Sequence, residues 1–151
     1  MFWLIIAGCL FLDQFTKYLV VTHMTLGQSI PVIENVFHIT YVINKGASFS
    51  LLQGQQWFFI VLTLVVVIVV LVLLRYIPKQ NKLLRYAIAV FLGGTLGNFI
   101  DRVHQGAVID FFDIRIFPIW NIADSFLVIS LIVICVIILF DGKNGQKKDK
   151  P

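Results

Sequence analysis

The chain reads as long apolar runs interrupted by a few polar positions. Residues 57–74 carry no charge and, at about 1.5 Å per residue and with help from their flanks, are long enough to cross a hydrocarbon core of roughly 30 Å. Three further apolar stretches predict membrane-spanning helices: residues 1–21, interrupted by Asp13 and Lys17, residues 83–100, and residues 122–140. Between the first two spans the pattern changes. Over residues 28–52, Ile30, Val32, Ile33, Val36, Phe37, Ile39, Tyr41 and Val42 partly alternate with polar residues, with Pro31 and Gly46 as punctuation. That pattern predicts strands of a small extramembrane sheet, too polar to enter lipid alone. Residues 114–120 are expected to join it.

Composition excludes an ordinary soluble globule: 59% of residues are hydrophobic and only 13% charged. The chain is read as one integral-membrane domain, mainly α, with the Lys-, Gly- and Asp-rich residues 141–151 as a disordered cytoplasmic tail. The net charge of +4 matters less than its placement. Arg75, Lys79, Lys82 and Arg85 crowd the connection between the second and third spans, and Lys143, Lys147, Lys148 and Lys150 fill the tail, so both regions are expected in the cytoplasm. Residues 22–56 and 101–121 then lie outside, and both termini inside. The first segment lacks a basic n-region and a small-residue cleavage pattern, which predicts a retained span rather than a removed signal peptide. Cys9 and Cys135 sit in apolar spans, as free, inert thiols. His23, His38 and His104 have no metal-ligand spacing, and no metal is expected.

Acids beside such spans carry the candidate chemistry, because a carboxylate near the bilayer centre costs on the order of 3 kcal/mol. Asp110 stands between Val108-Ile109 and Phe111-Phe112, and Asp124 opens the fourth span. Apolar walls lean Asp110 towards neutrality, whereas the start of a helix favours a negative charge at Asp124. Two such carboxyls sharing a proton and holding a water make a general acid and base for amide hydrolysis. Taken singly, each has a plainer reading: Asp124 as a helix cap, Asp110 as a turn residue.

Asp13 and Lys17, at i and i+4, predict a structural ion pair that lets a charged helix insert. Gly93 and Gly97 make a small-residue face for close helix packing, and Asn98, Asp101 and Arg102 end that span, the last two either as a capping ion pair or as substrate contacts. Asn44 and Gly46 combine an amide with a residue tolerant of close backbone approach. Two rival classes remain open on these residues: a small proton-coupled carrier or channel subunit, which needs acids at mid-helix, and a noncatalytic assembly partner packing through the glycine face.

The ordered set resembles the lipoprotein signal peptidase (signal peptidase II) family of membrane aspartic proteases. It comprises Asp13-Gln14 with Lys17, Pro31-Val32-Ile33, Asn44 with Gly46-Ala47 and Phe49, Gly93-Gly94 with Gly97-Asn98 and Asp101-Arg102, Val108 with Asp110-Phe111, and Asn121 with Ala123-Asp124. The resemblance implies four transmembrane helices with an extracytoplasmic β-cradle and a small lid-like element, in a bacterial cytoplasmic membrane. It implies cleavage of diacylglyceryl-modified prolipoproteins just before the lipidated cysteine, with no metal or other cofactor. Asp110 and Asp124 match the catalytic pair. Asn44, Asn98, Arg102 and Asn121 match positions lining the site, and Asp13, Lys17, Gly46, Gly93, Gly97 and Asp101 are carried as supporting structure. The expected partners are the lipidated precursor and membrane lipids, with no nucleic acid, for a monomeric chain. Two departures fall in the outer loop: the interval from Asp110 to Asp124 is shorter than usual, and Trp120 stands where Phe is common.

Overall fold

In the computed structural model, which describes residues 1–46 and 52–148, four long helices carry a three-stranded sheet. The order is α1 (Phe2–His23), β1 (Ser29–Ile33), β2 (Phe37–Asn44), α2 (Gln56–Leu73), α3 (Lys82–Gln105), β3 (Val108–Asp113) and α4 (Ile122–Lys148). Each helix is long and apolar enough to cross a membrane, α4 over Ile122–Phe140. Two boundaries differ from expectation. α3 continues past Ile100 to Gln105, so Asp101 and Arg102 lie within the helix rather than ending it. It stops at Gly106, whose φ of 76° is the left-handed conformation of a helix C-terminus. α4 runs on to Lys148, past the end of the apolar span at Phe140. Residues 149–151 of the tail, and the motif residues Ala47 and Phe49, lie outside the described residues.

Burial is inverted relative to a water-soluble protein. Val61 on α2 and Ile129 on α4 are more than half exposed, at 56% and 59%, while Asp13, Lys17 and Asn121 are 0%, 2% and 0% exposed. Apolar faces outward and hydrogen-bonded polar groups inward are what a hydrocarbon solvent demands. α3 is the hub, packed on α1, α2 and α4. Its glycines make that possible. A Cβ at Gly93 would fall 2.5 Å from the Cys9 Cβ, one at Gly94 2.6 Å from the Ala123 carbonyl oxygen, and one at Gly97 2.5 Å from Asp13 Oδ2. The predicted small-residue face therefore admits α1, and Gly94 beside it admits α4. Ile6, Ile88, Ala89 and Leu92 fill the apolar core away from the sheet.

The sheet is antiparallel in the order β1-β2-β3. Pro31 lies on the edge strand β1, where a missing N–H is tolerated. The third strand is not residues 114–120 but Val108–Asp113; of the former only Trp120 pairs, bridging Phe112. β3 is almost wholly buried, so both its faces carry apolar residues, and Val108-Ile109 and Phe111-Phe112 around Asp110 show no alternation, which hid it from a search for period two. The chain instead turns after β3, with Arg115 at φ 68° and its N–H donating to Asp113 Oδ1 at 2.8 Å. Among the described residues no further element answers to the lid-like piece that the resemblance implied.

Candidate active site

β3 leaves α3 through Gly106 and places Asp110, 2% exposed, beside the end of β2. It is a strand residue, not a turn residue. Asn44 pairs in register with Val108 and so lies diagonally from Asp110 on the same face, where its Nδ2 donates to Asp110 Oδ2 at 2.9 Å. The Asn44 amide is held by a partner that can only donate: Gly46 N–H bonds its Oδ1 at 2.9 Å.

Asn121 and Asp124 form the first turn of α4. Asp124 N–H donates to Asn121 Oδ1 at 3.0 Å, and Asn121 N–H donates to Asp124 Oδ2 at 3.2 Å, a reciprocal cap of the type that satisfies free helix N–H groups. Asp124 is thus a helix cap, as its plainer reading had it, but through one oxygen only. The other, Oδ1, accepts from Asn98 Nδ2 at 2.7 Å. Asn121 Nδ2 in turn donates to Asp110 Oδ1 at 2.7 Å, so one residue is bonded to both acids. Every oxygen of the two carboxyls therefore receives an N–H, and each keeps a further lone pair for a proton or a water.

Both acids, with Asn44, Gly46, Asn98 and Arg102, line one cavity of about 240 Å³, room for a peptide segment and a water. Burial, then the charge of Asp124, push the Asp110 carboxyl up to about 7, against the pull of the N–H donors Asn44 and Asn121 and of the Lys17 charge. Asp113 goes the other way: burial would raise it, but the Arg115 N–H, Thr40 hydroxyl and Arg115 guanidinium outweigh that and hold it low.

Of the two readings left open for Asp101 and Arg102, the ion pair between them does not form. Neighbours on a helix point apart. Asp101 faces α1 and meets Lys17 Nζ at 2.8 Å, whereas Arg102 faces the cavity, its guanidinium 4.8 Å from the Phe59 ring centroid and within 3.4 Å of the Gly46 carbonyl oxygen. The Asp13–Lys17 pair is present at 2.8 Å, so Lys17 stands between two acids. Gln14, quoted in the motif but given no role, donates to Asp101 Oδ1 at 2.9 Å and Asp13 Oδ2 at 3.1 Å. Sequence reasoning also missed Thr63 and Thr95, which line the same cavity from α2 and α3. A signal existed for the first: Thr63 is the lone hydroxyl in the apolar run 57–74. Trp120, one of the two departures from the family pattern, donates its indole N–H to Ser125 Oγ at 3.2 Å.

The family model for signal peptidase (SPase) II matches residues 5–140. The chain belongs to the signal peptidase II family. Among similar proteins, the lipoprotein signal peptidase of Bacillus pumilus is 47% identical, over 97% of this chain and 98% of that protein. That of Caldanaerobacter subterraneus subsp. tengcongensis is 46% identical over 91% of this chain and 95% of its own length. A solved structure described as a bacterial membrane enzyme, determined in meso at 2.3 Å, superposes with a TM-score of 0.91 at 39% identity, covering 99% of this chain and 93% of that one. Membership of the signal peptidase II family makes the chain a membrane protease built on four apolar helices and a small sheet.

Proposed function

We propose that this chain removes the signal peptide from diacylglyceryl-modified prolipoproteins, cutting before the lipidated cysteine, and that Asp110 and Asp124 are its catalytic pair. One observation carries the mechanism: the two acids wall a common cavity at the sheet end of the bundle and are joined through Asn121. Asp110, with its carboxyl raised to about 7, is suited to carry the proton that the pair shares. Asp124 takes a proton from water as the water oxygen bonds to the scissile carbonyl carbon. Asp110 gives its proton to the amide nitrogen as the C–N bond breaks, so one proton remains in the pair, now on Asp124. Asn98 and Asn121 hold the acids, and Asn44 and Arg102 position the substrate chain over them. The apolar outer faces suit entry of a lipidated signal helix from the bilayer.

The basic α2–α3 connection and the basic tail support a topology with both termini in the cytoplasm and the cavity on the outer face of the cytoplasmic membrane. A proton carrier is disfavoured because Asp13, the acid at mid-helix, is fixed by Lys17 and by the Ala123 N–H at 3.0 Å.

The test is cleavage of lipidated and unlipidated precursors by the purified chain, with products weighed by mass spectrometry. Release of the intact signal peptide only from the lipidated precursor, and by the wild type but not by Asp110→Asn, is the expected result. Cleavage by Asp110→Asn at the wild-type rate would end the assignment of the pair.

A further inference from the structure

Lys17 lies on α1, two helices away from the sheet acids in chain order, and its ammonium is 2% exposed. Charge pairing with Asp13 and Asp101 accounts for two of its three N–H bonds, both at 2.8 Å. The third goes to Asn98 Oδ1 at 3.0 Å. An ammonium has no acceptor, so the only end of the Asn98 amide that can face it is the oxygen. The NH₂ end is thereby turned towards α4, where it donates to Asp124 Oδ1 at 2.7 Å. The same Asn98 oxygen also accepts from Asn121 Nδ2, at 3.0 Å, the group that reaches Asp110. Were the Asn98 amide reversed, it would turn its oxygen on Asp124 and its NH₂ on both Lys17 and Asn121, a like-with-like contact on every side.

Resting on the function proposed above, we infer that Lys17 is a positioning residue for the catalytic pair: it sets the direction of the Asn98 amide and, through it, the N–H contacts of Asp124 and Asn121. It touches neither acid, and no ion pair joins it to either among the described residues. Its second effect is its charge. Asp110 is faced by Asp124 from α4, Arg102 from α3, Lys17 from α1 and Asn44 from β2, and Lys17 is one of the positive groups that favour its ionised form.

Asp13 supplies the control. It shares the ion pair with Lys17 but has no bond to Asn98, and Asp13→Asn keeps an oxygen for the Ala123 N–H. The experiment compares Lys17→Met, Lys17→Arg and Asp13→Asn for thermal stability in detergent and for kcat, KM and pH profile on a lipidated precursor. Lys17→Met is expected to lose about 10²-fold in kcat with KM little changed, as for a displaced catalytic group. Its alkaline limb is expected to move to higher pH, because a positive charge near Asp110 is gone. Lys17→Arg keeps the charge and guards against a failure of the Met variant to fold. Its planar fork cannot reproduce three bonds from one nitrogen, so kcat stays low while the limb stays in place. Asp13→Asn is expected to lose stability and keep most of its kcat. A folded Lys17→Arg with wild-type kcat, or an Asp13→Asn protein impaired in kcat as severely as it, would overturn the inference. If Asp110→Asn is inactive in the same assay, that failure belongs to Lys17 alone; if Asp110→Asn cleaves normally, the proposed function has failed instead.

Discussion

The molecule buries two pairs of acids, and it treats them differently. Asp13 and Asp101 share the Lys17 ammonium at 2.8 Å each, and their remaining contacts are with Gln14 and the backbone N–H groups of Ala123 and Ile109. Asp110 and Asp124 have no cation within ion-pair reach among the described residues. They are held by neutral N–H donors and open on a cavity that Arg102 lines from one side. A carboxylate locked to a buried ammonium has its charge fixed and its lone pairs used; that arrangement ties α1 to α3 and α4. A carboxyl held by amides keeps its geometry while its protonation stays changeable. The first pair suits architecture, and the second suits the proton transfer proposed for it.

The widest separation between the two pairs is expected in rate. Asp110→Asn and Asp124→Asn should each lower kcat by about 10³-fold or more, read by single-turnover cleavage. Neither should lower the melting temperature by much, although each amide turns its NH₂ on one N–H donor. Asp110→Asn should gain on the wild type as pH rises from 5 to 8. The sign follows from linkage: a carboxyl raised in the folded state makes the wild type lose stability as pH climbs from the ordinary carboxyl range to about 7, and Asn has no such loss. A large fall in melting temperature for either variant would erase the distinction.

Asp13→Ala should behave in the opposite way, losing about 3–5 kcal/mol of stability because Lys17 and the Ala123 N–H are left short of a partner in the interior. Thermal unfolding in detergent checks it; a melting temperature at the wild-type value would mean that the ion pair ties nothing together.

A smaller effect belongs to pH. Cleavage should decline above about 7 as Asp110 loses its proton, and Asn44→Ala should displace that limb upward, since the lost N–H favoured the charged carboxyl. The shift expected is up to about one pH unit, or about 1.4 kcal/mol. A limb that moves down would count against Asp110 as the proton holder. Least of all should be Ser125→Ala, which removes the acceptor of the Trp120 indole N–H and costs about 1 kcal/mol, with kcat nearly unchanged. Chemical denaturation followed by tryptophan fluorescence would measure it.

The legible parts of this protein were those governed by local pattern. The four spans follow from runs of apolar residues against a bilayer of fixed thickness, and β1 and β2 from β-branched and aromatic residues around Pro31. Asp110 and Asp124 stood out because acids beside such runs are costly. β3 was missed because burial on nearly all sides removed the alternation that betrays a strand. The true partner of Asp101 was not legible, since adjacency in sequence offered only Arg102, and only the packing of α1 on α3 through Gly97 brings Lys17 to it. Gln14 and Thr95 gave no signal, since an amide or hydroxyl in a helix acquires a role only from what faces it.

Composition and hydrophobic runs by themselves determined a four-helix membrane protein with a small sheet, because transfer to lipid depends on residue content and not on neighbours. Which acid is neutralised and which is left changeable was decided only in three dimensions. Residues far apart in the chain had to meet, as Asn44 meets Asp110, Lys17 meets Asn98 and Asn98 meets Asp124, and the direction of a hydrogen bond exists only between groups already in contact.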